Sequence, residues 1–125
     1  MRTLLKQITL AIAVSTYVGS TTNFSARADS TSSLILDLRC RGGYNVNVWK
    51  NRTSGKLLYR ATSPNGKLSI NGGTTQNTEG VKVYKFQNGN YQYWVWDGTL
   101  DSQSAGTLEV YRNNRIIMKR ACTKK

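Results

Sequence analysis

The chain has 125 residues, 18 of them lysine or arginine against 6 aspartate or glutamate, for a formal net charge of +12. Two cysteines and no histidine are present, so the commonest general base and the commonest metal ligand are both missing. This length allows one domain.

The first residues read as an export signal. Arg2 and Lys6 make a positive start, Ile8 to Val18 a short apolar run, and Ala26-Arg27-Ala28 a small-x-small cleavage site. The expected organisation is a signal peptide over residues 1–28 and a single secreted domain over residues 29–125, in the periplasm or outside the cell. Retention of the segment as a membrane anchor is the alternative, although the apolar run is short for a span. Cleavage would remove Arg2, Lys6 and Arg27 and no acid, leaving 15 basic residues against 6 acids, or +9. That balance favours attraction to anionic polymers or surfaces, with a merely solvated surface as the bland alternative.

After a polar lead-in the period becomes two. Leu34, Leu36, Leu38 and Cys40 alternate with polar or outward positions, and Tyr44, Val46 and Val48 do so again after Arg41-Gly42-Gly43. Lys56 to Thr62 reads as a third strand, and Lys67 to Ile70 returns from Ser63-Pro64-Asn65-Gly66, a strong turn signal. Asn71 to Gly80 is polar and glycine-rich and reads as a loop. Val81 to Phe86 and Tyr91 to Trp96 flank Asn88-Gly89, the best hairpin signal in the chain. Asp97 to Gly106 reads as a second long connection. Thr107 to Tyr111 and Ile116 to Cys122 form a last hairpin, where Asn113-Asn114 can accept left-handed conformations. No segment keeps a 3.6 period for three turns. The fold expected is all-β: a small antiparallel barrel or closed sandwich of about eight strands.

Only one intramolecular pairing of Cys40 with Cys122 is available, 82 residues apart. An exported domain this small gains from such a staple; two free thiols are the alternative. In a closed barrel the bridge is expected to join neighbouring edges.

The inventory for catalysis is thin. The acids after the leader are Asp29, Asp37, Glu79, Asp97, Asp101 and Glu109. Asp97 and Asp101 share a connection and could converge as a carboxylate pair, but turn-forming side chains account for them better. Ser102 and Ser104 have no histidine to activate them. No catalytic residue, metal ligand set or cofactor is expected.

Binding is better supplied. On the most aromatic strand Tyr91, Tyr93 and Val95 point one way, and Gln92, Trp94 and Trp96 the other. Trp94 and Trp96 are either core or an open platform for sugar rings or a partner's side chains. Arg112, Arg115, Lys119 and Arg120 gather late in the chain, and Arg39 and Arg41 flank Cys40. A Cys40–Cys122 bridge would make these two groups neighbours in one basic patch, able to meet an anionic glycan; a solvated, aggregation-resistant edge is the alternative. Export disfavours nucleic acid as the partner.

The stretch from Glu79-Gly80 through Tyr91-Gln92-Tyr93-Trp94-Val95-Trp96-Asp97-Gly98 resembles the periplasmic and membrane-bound C-type lysozyme inhibitor family. So does the layout of signal peptide, early strand ending in cysteine, about eight strands and terminal cysteine. The chain is also similar to small exported cyanobacterial proteins of no assigned activity. The family resemblance implies an antiparallel barrel that blocks a cell-wall hydrolase by inserting loop residues into its acidic cleft. It places Glu79 where the family carries an inhibitory serine and Asp97 where it carries an inhibitory lysine. An acid at both places would repel the hydrolase carboxylates. The expected function is therefore non-catalytic binding through Glu79, Trp94, Trp96 and Asp97, with hydrolase inhibition and retention of anionic polysaccharide as alternatives.

Overall fold

The computed structural model describes residues 31–125; the leader read over residues 1–28 lies outside the described residues. Nine strands form one antiparallel sheet: β1 (Ser32–Cys40), β2 (Tyr44–Asn51), β3 (Leu57–Ser63), β4 (Gly66–Asn71), β5 (Gly73–Thr78), β6 (Val81–Asn88), β7 (Tyr91–Asp97), β8 (Ala105–Arg112) and β9 (Arg115–Lys124). Their order across the sheet is β4-β3-β2-β1-β9-β8-β7-β6-β5. The sheet curls into a half-barrel, and alternate residues of most strands meet on its concave side. Leu36, Leu38, Val46, Val48, Leu57, Tyr59, Phe86, Val95 and Leu108 form the heart of that core.

The expectation of an all-β fold with a Cys40–Cys122 disulfide holds. Two parts of it are corrected. There are nine strands rather than about eight, because the supposed loop over residues 71–80 is largely β5. Its sequence, Gly-Thr-Thr-Gln-Asn-Thr, has no apolar alternation, so period two leaves no trace. Threonine nevertheless suits a pleated surface, and six register pairs from Gly73–Phe86 to Thr78–Val81 hold the strand to β6. The barrel is also not closed. β4 and β5 stand at opposite edges of the sheet and share no register. A single residue joins them, Gly72 at φ 89°, whose amide donates to the Leu57 carbonyl at 2.8 Å. The chain turns a corner there instead of forming a hairpin, so the edges never align for a ladder.

The disulfide accordingly does not join edges. Cys40 and Cys122 face each other where β1 meets β9, in the middle of the sheet. Strands β1–β4 run as one meander and β5–β9 as another; β1–β9 is the hydrogen-bonded seam between them. The seam is short: Leu38–Lys124, Arg39–Thr123 and Cys40–Cys122, flanked by one bond at each end, from the Arg41 amide to the Ala121 carbonyl and from the Lys125 amide to the Asp37 carbonyl, both at 3.0 Å.

The tight turns follow their residues. Asn113 and Asn114 take φ 51° and 67°, the pair of left-handed conformations that a two-residue hairpin favours. Between β6 and β7 the central residues are Gly89-Asn90, with Gly89 at φ 65°, one step later than Asn88-Gly89 suggests. Glu79 is the exception: it holds φ 53° between β5 and β6, beside Gly80 at φ 84°. A left-handed residue other than glycine or asparagine costs about 1 kcal/mol or more. Glu79→Asn is therefore expected to raise stability by about 0.5–1 kcal/mol. A urea midpoint that does not rise would remove the strain assigned to this turn.

Tyr59 is 2% exposed at the centre of the concave face, its ring 5.3 Å from those of Phe86 and Tyr93. Burial first, then the neighbouring Tyr93 and Tyr44, pushes its phenol well above the ordinary tyrosine range. The folded state therefore keeps a proton that the unfolded chain releases near pH ~10. Stability from this group is whole below that pH and falls as pH rises above it. Urea midpoints at neutral and at strongly alkaline pH should show a smaller alkaline loss in Tyr59→Phe than in the wild type.

Candidate functional site

The convex face of β6–β9 carries the second set of side chains. Trp94 and Trp96 lie there because they alternate with Tyr93 and Val95, which turn into the core. Cross-strand register sets Trp94 between Lys85 on β6 and Glu109 on β8, and Trp96 between Val83 and Thr107. Val83 is 0% exposed yet faces away from the concave core. The two tryptophans are thus half-buried members of a small outer apolar layer, with ring centroids 6.4 Å apart.

Their polar edges are satisfied. Trp96 Nε1 donates to Glu109 Oε1 at 2.9 Å, and the Tyr111 hydroxyl donates to the same oxygen at 3.0 Å. Lys119 Nζ stands 4.0 Å from Glu109 Oε2. Burial, then the hydrogen bond and charge of Glu109, raises the Tyr111 phenol. Trp94 Nε1 donates to Gln92 Oε1 at 3.0 Å. Its ring has the Lys85 ammonium 3.8 Å from the centroid and the Tyr111 ring at 4.6 Å. Both contacts occupy ring surface that a stacking sugar would use, so Trp94 offers less of a platform than an open indole.

Trp96 opens toward the end of the sheet where the Glu79-Gly80 turn and the 98–104 connection meet. A hollow of about 250 Å³ is lined by Glu79, Val81, Trp96, Leu100, Glu109 and Lys119, among others. An adjoining one of about 430 Å³ shares Glu79 and Leu100 and continues to Lys82, Asp97, Asp101 and Lys124. The connection is well tied. The Thr99 amide donates to the Ser102 carbonyl (2.9 Å), the Ser102 amide to Thr99 Oγ1 (3.1 Å), and the Lys124 amide to the Ser104 carbonyl (2.9 Å). Asp97 forms an ion pair with Lys124. Leu100, at the tip, is 73% exposed.

The structure thus brings Glu79, Trp96 and Asp97 to one end of the sheet, with Trp94 farther along the same strand. The six basic residues do not form one surface. Arg39 and Arg41 flank a shallow depression over the disulfide with Ala121 and Thr123. Arg112 and Arg115 oppose each other at the β8–β9 turn, with Arg112 5.8 Å from the Tyr91 ring. Cys122 follows Arg115 by seven residue steps along β9, roughly 23 Å at ~3.3 Å per residue. Lys119 belongs to the convex face. Arg120 shares the parity of Leu108, its register partner, and stands 5.8 Å from the Tyr44 ring. Glu109, Leu100, Lys85 and Tyr111 carry no motif; only the cross-strand register makes them neighbours of the tryptophans. No family model, curated protein or solved structure matches the chain.

Proposed function

We propose that the protein is an exported, non-catalytic binding domain that engages a protein partner with the groove between the Glu79-Gly80 turn and the 98–104 connection. One observation carries this reading. Two segments distant in sequence frame Trp96 and the protruding Leu100 around adjoining hollows, and hydrogen bonds hold the connection in shape before any partner arrives. Such preorganisation lowers the ordering cost of binding. An aromatic ring beside an exposed leucine, rimmed by polar groups, has the composition of an interface core. The disulfide accords with an oxidising, exported location.

Charge narrows the partner. Glu79, Asp97, Asp101 and Glu109 line this groove with Lys82, Lys119 and Lys124; Lys124 and Lys119 pair with Asp97 and Glu109, which leaves Glu79 and Asp101 as its acids without a salt bridge among the described residues, whereas Asp37 bonds Asn47 elsewhere. A partner surface with basic or neutral rim groups complements it better than an acidic cleft does. The resemblance to lysozyme inhibitors makes a cell-wall hydrolase the first partner to test, gripped on its basic surface. Binding of immobilised C-type lysozyme, together with its cell-wall turnover, provides that test. Micromolar binding that Leu100→Asp weakens about tenfold or more is the expected result. No binding by the folded, oxidised protein at tens of micromolar overturns the hydrolase as partner.

A further inference from the structure

The concave face is not filled at the end opposite the groove. β1 meets β9 only as far as Arg41 and Ala121, then turns into β2, while β9 extends on toward Arg115. Between that length of β9 and the β3–β4 hairpin lies a cavity of about 300 Å³. Tyr59, Ala61 and Leu68 form one wall; Tyr93, Val110 and Met118 form the other. Tyr44 stands at its side and Lys67 at its rim.

Three features specify what fits. The walls are largely apolar and aromatic, so the inner part favours hydrocarbon. No acid lines the cavity, whereas Lys67 does, and Arg120 sits against Tyr44 with its Nε buried and unpartnered. The hydroxyls of Tyr44, Tyr59 and Tyr93 make no hydrogen bond with any described residue, although Tyr59 is almost wholly enclosed. The hydroxyl oxygens stay accessible from the cavity, so each is free to donate to an acceptor bound there. Apolar walls with unused donors and positive charge at one side complement one chemistry, a short hydrocarbon ending in an anion.

We propose that this cavity is a binding site for a small amphipathic anion, an acyl chain of about eight carbons or a single aromatic ring system bearing one carboxylate, given a volume at the low end for ligand sites. The hydrocarbon lies between Ala61 and Met118, and the carboxylate faces the phenols and the cationic rim. The site is separate from the Trp96 groove and does not depend on it.

Calorimetric titration of the oxidised protein with octanoate, and with octylamine as its cationic counterpart, tests the site. Octanoate should bind saturably at one site per chain, and octylamine about tenfold or more weakly. Ala61→Trp fills the cavity and should abolish octanoate binding. Lys67→Glu, at an exposed position, should weaken it about fivefold; Lys56→Glu, on the β2–β3 loop at the other end, should not change it. If Ala61→Trp does not fold, the contrast between the two lysine variants decides. No saturable octanoate binding by folded protein at millimolar concentration overturns the proposal. So does equal affinity for octylamine, or equal loss in the two lysine variants.

Discussion

Replacing Cys40 and Cys122 by alanine is expected to lower the unfolding free energy by about 4–5 kcal/mol, the chain-entropy value for a loop of this length. The closed loop spans 82 residues, nearly the whole domain. The position of the bridge adds a structural reason. It clamps the short ladder between β1 and β9, where the two meanders meet. Without it, the seam depends on a few backbone bonds and on packing of Leu38 against its neighbours. Small domains have only about 5–15 kcal/mol of total stability, so the unbridged protein should sit close to unfolding. Urea titration reads the effect as a lower midpoint and a steeper slope, because the unlinked unfolded chain exposes more surface. A loss below about 1 kcal/mol would mean that the core alone holds the seam.

Phe86→Ala is expected to cost about 3–5 kcal/mol, the usual range for a buried phenylalanine. Phe86 is 1% exposed and packs on Tyr59. It also does something for the edge. A Cβ built on Gly73, its register partner, would lie 2.6 Å from the Phe86 ring, so the ring occupies the space that a side chain there would need. β5 has five exposed positions out of six and little else to pack with. Loss of the ring should therefore loosen β5 beyond the global effect, seen as faster amide exchange over Gly73–Thr78 than in β7 or β8. Conversely, Gly73→Ala should cost about 1–3 kcal/mol in the wild type and less beside Phe86→Ala, where only the Lys85 carbonyl oxygen, 2.8 Å from that Cβ, still crowds it. Additive costs in that double-mutant cycle would refute the ring-over-glycine packing.

Much of the fold was legible in local pattern. Alternation placed eight of the nine strands, and turn chemistry placed the Asn113-Asn114 and Ser63–Gly66 hairpins. Strand parity also put Trp94 and Trp96 on the face opposite Tyr93 and Val95. β5 escaped because an exposed edge strand made of Thr, Gln and Asn has no hydrophobic period to read. Parity also bears on Arg120, which shares the face of Leu108 and Cys122 rather than that of Lys119. Grouping basic residues by nearness in sequence overlooks that, and overlooks the rise of β9 that separates Arg115 from Arg41. The Glu109 network was out of reach for another reason. Its partners Trp96 and Lys119 stand 13 and 10 residues away, and only the pairing of β8 with both neighbours brings them to one carboxylate.

The sequence by itself determined an all-strand domain, its main turns, that Trp94 and Trp96 share the face opposite Tyr93 and Val95, and the one disulfide its two cysteines can make, because strand period, turn propensity and cysteine count are local or exhaustive properties. Only the tertiary structure decided that the sheet stays open, that the bridge sits at its central seam, that Glu79 and Leu100 line one hollow with Trp96, and that a tyrosine-lined cavity remains beside β9. Those outcomes depend on register and curl, which the whole set of strand pairings settles together and no single segment encodes.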